Sequence, residues 1–454
     1  MRMFLTIFLC CFAASLAANY SFYDANGKKI LNKEFDSQNP RVEVGSLQKD
    51  VAKPVYIKNA GSKLKYGIKF DRHLGKRDID LASAETADTV WIEAEKNECL
   101  NLCIEEHVCQ IVQAPSRVSV YSIVVRDSAE ENSNLTVNIA VGMKYLDLKG
   151  QRLKIGYNAP KSKMRYLDER GAEIKDEDPE RLVERNSVYL VDKYPVTNCE
   201  FYSLMKDEIP KGVRFENGRR KNIAKMWNER VGRMDGTCVA NDSAANSIYL
   251  YQALVYANKR SIAEGLEPYY IITPTDEKDI QVWADSSFTV YNSDLPVMNK
   301  GVLKVSVNGK SNGYRLPYYD EWMLLARGGN NENRAPWGDS SVTVEDVLKY
   351  AWFGDSTSAM NYASKPVGML KSNGYGLYDV FGLVEEFVLF PGKNPFETMK
   401  GVPSCLKGGN FRVLLSLGLN EMYIDPYWKW IDYGYSKANY GYQSGGFRLV
   451  RKIR

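Results

Sequence analysis

The spacing of apolar and polar positions along the 454-residue chain changes character twice. Between residues 18 and 150, short β-branched runs recur at 54–57 (PVYI), 89–92 (TVWI), 118–125 (VSVYSIVV) and 135–141 (LTVNIAV). Polar and Gly/Asn/Ser turns separate them, and no helical period of useful length appears. That pattern predicts strands packed as a small β-sandwich, with nothing in it that looks catalytic. Residues 151–185 then turn strongly polar. From 173 to 184 only Ile174, Leu182 and Val183 are available for burial, so the stretch reads as a charged, solvated connector or as the charged face of an adjoining domain. From 186 to 454 Gly, Tyr, Trp and Asn crowd the chain. Helices are expected there at 249–264 and 319–327, with short strands and ordered loops elsewhere, held by buried aromatics and loop hydrogen bonds. The expected fold class is α+β.

The first 17 residues (MRMFLTIFLCCFAASLA) set Arg2 before an apolar run and end in small residues, the layout of a secretory signal peptide. The run is shorter than the ~20 residues a transmembrane helix needs, and no later stretch is long and apolar enough. The expected product is exported (periplasmic, cell-surface or secreted) with no transmembrane span. Phe8-Leu9 before Cys10 is a poor lipidation signal. Lysines and arginines number 60 against 56 acidic residues, a balance that makes no case for a nucleic-acid partner. Histidine is more restrictive. With His73 and His107 as the two in the chain, everything from Val108 onward lacks imidazole, which excludes Ser-His-Asp and Cys-His catalysis and His-ligated metal sites there.

Of eight cysteines, Cys10 and Cys11 fall in the leader, leaving Cys99, Cys103, Cys109, Cys199, Cys238 and Cys405. An even count in an exported chain favours disulfides. Three lie in each half, so either one bridge joins the halves or each half keeps a free thiol. Cys99, Cys103, His107 and Cys109 also form a C-x3-C-x3-H-x-C cluster, open to local disulfide pairing or to zinc.

The region beyond 186 carries motifs in a fixed order: YPVTN at 194–198, ALVYAN at 253–258, YRLP at 314–317 with Glu321-Trp322 and ARGG at 326–329, and PWG at 336–338. PVG at 366–368, NGYGLYDVFG at 373–382, KGGNF at 407–411 and GFRLVR at 446–451 follow. This set resembles the formylglycine-generating enzyme (sulfatase-modifying factor) family. The resemblance implies a compact, loop-rich domain related to the C-type lectin fold, following the β-sandwich-like domain and the connector.

In the family's enzymes a cysteine pair just after the Gly-Gly motif binds copper(I) and oxidises a substrate cysteine, and soft thiolates are what that ion requires. Here the matching positions are Val413 and Gly418, and no cysteine follows Cys405. No copper is expected. Relatives that form sulfoxide bonds use a histidine-bound iron, for which this chain lacks the ligands. The family's VWEW also appears as Val384-Glu385-Glu386-Phe387. Scaffold positions persist while reactive ones differ, so the expectation is a catalytically degenerate domain acting in binding or surface assembly; the alternative is an enzyme of the family. The resemblance further implies calcium held by Asp379, the carbonyls of Gly382 and Val384, and Glu386, a hard-oxygen set. The other reading of these residues is that Asp379 caps the turn and Glu386 pairs with an arginine such as Arg448. Finally, the aromatic run at 422–442 includes Trp428, Trp430, Tyr433 and Tyr435. It borders the family's substrate groove, where it would contact a protein or glycan partner, or else it packs within the domain.

Overall fold

A computed structural model describes residues 20–24, 27–28, 78–80, 89–105, 108–127, 134–155, 181–206, 213–216, 219–222, 242–246, 248, 250–274, 303–330, 333, 335–338, 343–353, 365–389, 404–409 and 445–453. The chain divides into two compact units, Met1–Tyr145 and Leu146–Arg454. The described residues are mostly sheet, with few helices. The expected leader at 1–17 lies outside them.

In the first unit, strands β1 (Tyr20–Asp24), β6 (Ser119–Asp127), β7 (Asn134–Val141) and β3 (Thr89–Ala94) form one sheet in that order. Strands β2 (Asp78–Asp80), β4 (Cys99–Glu105) and β5 (Val108–Gln113) form a second. Alternation decides which side chains are buried. Ile92 and Ala94 of β3, Leu100 and Leu102 of β4, Ile123 and Val125 of β6, and Val137, Ile139 and Val141 of β7 join one apolar cluster drawn from both sheets. The cysteine-rich stretch is the β4–β5 hairpin. Its register sets Cys103 opposite Cys109 and Cys99 opposite Gln113. Four residues of strand, about 13 Å, thus separate Cys99 from the facing pair, so the hairpin does not gather the cluster as a zinc site would require. Cys99 carries a free thiol, and burial, with Glu98 nearby, pushes its pKa up. His107 lies outside the described residues.

Strand β8 (Met143–Asp147) leads into the second unit. The stretch expected as a connector opens and closes in paired strands, β9 (Gln151–Ile155) and β10 (Arg181–Arg185). Leu153 and Val183 from these strands enter the main apolar core beside Trp322, Leu324 and Phe381. Two apolar residues at strand spacing were enough to anchor it, while the polar positions face outward. Then come β11 (Val188–Asp192), α1 (Asn198–Met205), the hairpin β12 (Val213–Glu216)–β13 (Arg219–Asn222), α2 (Leu250–Ala263) and the pair β14 (Tyr270–Pro274)–β15 (Leu303–Val307). Helices α3 (Tyr319–Arg327) and α4 (Val344–Leu348) precede β16 (Glu385–Leu389), which lies between β17 (Ser404–Lys407) and β18 (Gly445–Gly446); β19 (Val450–Lys452) pairs with β11.

Short helices in such a domain depend on their ends. Thr197 caps α1, its Oγ1 accepting the Glu200 N–H while Glu200 Oε2 accepts the Thr197 N–H. At the other end of α3, Asn373 replaces the missing next turn. Its amide donates to the Leu325 and Ala326 carbonyls, and its Oδ1 accepts the Tyr375 and Leu377 N–H groups. One buried side chain thereby terminates a helix and shapes the loop beyond it.

Residues 445–453 act as a clasp. Val196 donates to the Phe447 carbonyl, Asp192 to that of Leu449 and Ile453 to that of Val188, while Arg315 and Val450 exchange both backbone hydrogen bonds. Opposite them, Gly382 turns the chain at φ +70°, where a Cβ would sit 2.6 Å from the Trp352 carbonyl oxygen. Gly150 has a similar φ of +69° but open space around it. Gly382→Ala should therefore destabilise by at least about 2 kcal/mol in urea unfolding and Gly150→Ala by about 1 kcal/mol, the left-handed backbone being common to both and the clash confined to Gly382.

Candidate functional site

The motifs converge on a buried polar centre in the second unit. Trp322 lies mid-way along α3, Glu386 on β16 and Arg448 just before β19, each at most 1% exposed. Arg448 Nε is 2.8 Å from both Glu386 carboxylate oxygens and Arg448 Nη2 is 2.7 Å from Oε1. The Trp322 indole Nε1 donates to Glu386 Oε2 at 2.8 Å. The remaining guanidinium N–H groups reach the carbonyls of Tyr378 at 2.8 Å and Asp192 at 3.2 Å. A carboxylate without these donors would be costly to bury; with them, one side chain ties α3, β16, the 373–382 loop and the clasp together.

Two further pairs extend the centre. Arg315 and Glu321 make a two-pronged bridge at 2.6 and 2.7 Å, and Glu321 also accepts the Tyr318 N–H at the start of α3. Burial alone would raise the Glu321 pKa, but the Arg315 guanidinium outweighs it and holds the carboxyl below its usual value. Arg260, in the last turn of α2, reaches Asp192 Oδ1 at 2.7 Å, and Asp192 Oδ2 accepts the Leu449 N–H. The roles of Arg260 and Asp192 were missed in the sequence. The available signal was a cation set among buried apolar positions of a predicted helix.

Asp379 behaves differently. It stands at φ +53°, 2% exposed, with Oδ2 accepting the Gly368 N–H at 2.7 Å and Oδ1 without a hydrogen-bond partner. Desolvation lifts its pKa to about 6.

The expected calcium ligands are adjacent in this arrangement, but they do not form an open cage. Both Glu386 oxygens are committed to Arg448 and Trp322, so a cation there would have to displace a guanidinium. Gly382 supplies the turn, and the Val384 side chain is buried with Ala244, Val367 and Leu383. Among the described residues no group of three or more His, Cys, Asp or Glu side chains is placed to hold a metal ion. Glu386 makes the arginine bridge with Arg448 that the other reading named, while Asp379 accepts the Gly368 N–H and not an amide of its own turn.

The glycine motif packs against this centre. Gly408, at φ +95°, has no room for a Cβ against the Val380 carbonyl, and its own carbonyl accepts the Gly382 N–H at 2.7 Å. Upstream, Cys405 lies on β17 opposite Val388. Downstream, Val413, Gly418, Trp428, Trp430, Tyr433 and Tyr435 all lie outside the described residues.

Comparison with known proteins identifies the family. Residues 155–453 match the sulfatase-modifying factor enzyme 1-like domain. The chain belongs to that family. Among its relatives, the chaperone protein LppX of Paenibacillus barcinonensis is 28% identical over 212 residues, 43% of this chain and 69% of that protein. The formylglycine-generating enzyme of Thermomonospora curvata is 38% identical over 80 residues, which is 16% of this chain and 26% of the enzyme. The match thus spans about a quarter of that enzyme's length. Treponema denticola variable protein 1, a solved structure, aligns with 71% of this chain and 96% of its own at 19% identity and a TM-score of 0.41.

Removing one member of the central pair should cost about 3–5 kcal/mol, with Arg448→Met unfolding at markedly lower urea than wild type. With Glu386 so committed, adding EGTA should leave the melting temperature of the wild type unchanged. For Asp379 the sign follows from a folded-state pKa raised from 3.8 to about 6: the folded state holds the proton more tightly, so this contribution is full below about pH 4 and is lost as pH rises through 6. In EGTA-containing buffers, wild-type stability should fall relative to Asp379→Asn between pH 4 and 6, by about 2 kcal/mol.

Proposed function

We propose that this chain is an exported, catalytically degenerate member of the sulfatase-modifying factor family that acts by binding a protein or glycan partner. The observation that carries the reading is the absence of any cysteine after Cys405, with Val413 and Gly418 at the two positions where the family's enzymes hold copper(I). A single thiol upstream of the glycines cannot supply the linear two-sulfur coordination that a copper-dependent oxidase needs. The buried frame of three arginine–carboxylate bridges is present all the same. A preserved scaffold with replaced reactive positions suits a domain retained for recognition. The relative named as a chaperone protein is consistent with a protein partner.

On this reading the aromatic run with Trp428, Trp430, Tyr433 and Tyr435 supplies the contact surface. The first unit, with two sheets sharing one core, is a β-sandwich-like domain; the Cys103 and Cys109 register suits a cross-strand disulfide in an oxidising compartment. Among the described residues no helix is long and apolar enough to cross a membrane.

The second reading, an enzyme of the family, is favoured by the 80-residue stretch shared with a formylglycine-generating enzyme. Anaerobic Cu(I) titration and a peptide-cysteine oxidation assay separate the two. The expected outcome is no saturable one-to-one copper binding and no oxidised peptide, and turnover would overturn the binding-only reading. Capture of a partner on a glycan array or from a surface extract should be lost on changing Trp428 and Trp430 to Ala, with the melting temperature retained.

A further inference from the structure

The four-stranded sheet of the first unit has a second face. Its strands send Ile92, Ile123, Val137 and Ile139 into the apolar cluster. Alternation therefore turns Thr89, Trp91 and Glu93 of β3, Thr136 and Asn138 of β7, and Ser122 of β6 to the other side. The register sets Trp91 beside Asn138, Thr89 beside Thr136, and Ser122 opposite Asn138. The Trp91 ring stacks on that of Tyr145, with centroids 5.5 Å apart and planes 23° from parallel. Glu93 fixes this pair: its Oε1 accepts the Tyr145 N–H at 2.9 Å, and Lys144 bridges the same carboxylate. Ser122 Oγ donates to Asn138 Oδ1 at 2.6 Å, which orients the amide. The other polar groups are differently placed. The Trp91 indole N–H, the Tyr145 hydroxyl, the Asn138 amide N–H groups and the Thr89 and Thr136 hydroxyls make no hydrogen bond to any described residue, and all five side chains are half-buried.

We propose that this face binds a neutral saccharide chain. A sugar ring presents a C–H surface and a rim of hydroxyls that both donate and accept. The stacked rings match the first, and the uncharged indole, amide and hydroxyl groups around them match the second. Charge decides against a polyanion. Among the described residues Glu93 is the charged side chain on this face, and the cation nearest it, Lys144, is already bridged to it. An anionic membrane surface calls for cations for the same reason. A protein partner calls for an apolar centre to the interface, whereas Asn138 and Thr136 of β7 keep the aromatic pair apart from Val124 of β6. The inference stands apart from the groove reading, because this face and the aromatic run at 422–442 share no residue.

The test titrates the full-length protein calorimetrically with neutral hexasaccharides of β-1,4-glucose, α-1,4-glucose, β-1,4-N-acetylglucosamine and β-1,4-mannose, with heparin as a charged control. At least one of the neutral chains should bind with Kd below about 1 mM. Its affinity should stay within about twofold between 0.1 and 0.5 M NaCl, since no ion pair forms. Trp91→Ala should weaken binding by at least about tenfold. Asn138→Asp keeps the acceptor that Ser122 uses and removes the free donor, and should weaken binding by at least about fivefold. Thr89→Val with Thr136→Val removes two hydroxyls that bond no described residue. Its melting temperature should match that of the wild type while affinity falls by at least about threefold, so this variant decides the matter even where Trp91→Ala fails to fold. No binding of any neutral chain at about 1 mM, affinity unchanged by the threonine pair, or tighter binding to heparin would each overturn the proposal. Trp428→Ala with Trp430→Ala should leave saccharide binding intact, so failure here and failure of the groove reading are distinguishable.

Discussion

The second unit is organised around one carboxylate with no solvent to share its charge. Glu386 sits on the central strand of a three-stranded sheet and is neutralised by Arg448 from a segment more than 60 positions away. Trp322 supplies a third donor from a helix. Such a pair adds little net stability over a well-packed apolar replacement, but leaving it half-made is very unfavourable. Its effect is therefore on specificity: the helix, the sheet and the clasp have one mutual placement that brings all the donors of the Glu386 carboxylate to it. The Arg315–Glu321 and Arg260–Asp192 bridges act in the same way around it. In a domain with few helices and short strands, these buried bridges do the positioning that a large regular sheet does elsewhere.

Much of this was legible in the sequence, and the reasons differ by element. Helix α3 was found with its observed limits, because YDEWMLLAR has an apolar stripe and a terminating Gly-Gly; α2 was found within one residue at each end. Helices α1 and α4 were not expected, since eight and five residues are too few for a periodic signal. Their mark lay in the caps, Thr197 with Glu200 and Thr343 with Asp346. The ends of the polar stretch at 151–185 illustrate the opposite problem. Composition averaged over 35 positions concealed Leu153, and Val183, though recognised as available for burial, was not placed in a strand; both are buried residues of paired strands.

The candidate site was legible as a set of positions and less so as a set of partners. The motifs named Trp322, Glu386 and Arg448, and the possibility of a Glu386–Arg448 bridge followed from two opposite charges in an apolar setting. The distances that define the bridge, and the Trp322 donor that joins it, came from the structure. Asp379 marks the limit of residue-type reasoning. A carboxylate that keeps one oxygen unpartnered in a left-handed turn cannot be distinguished by sequence from one that is fully bonded.

The clasp at 445–453 has a consequence for how this domain comes into being. Its backbone hydrogen bonds go to residues near 190, 196 and 315, and its arginine completes the charge balance of strand β16. While these nine residues are still to be made, every one of those acceptors and donors is without its mate. The frame around Glu386 accordingly cannot shut before the clasp has emerged from the ribosome.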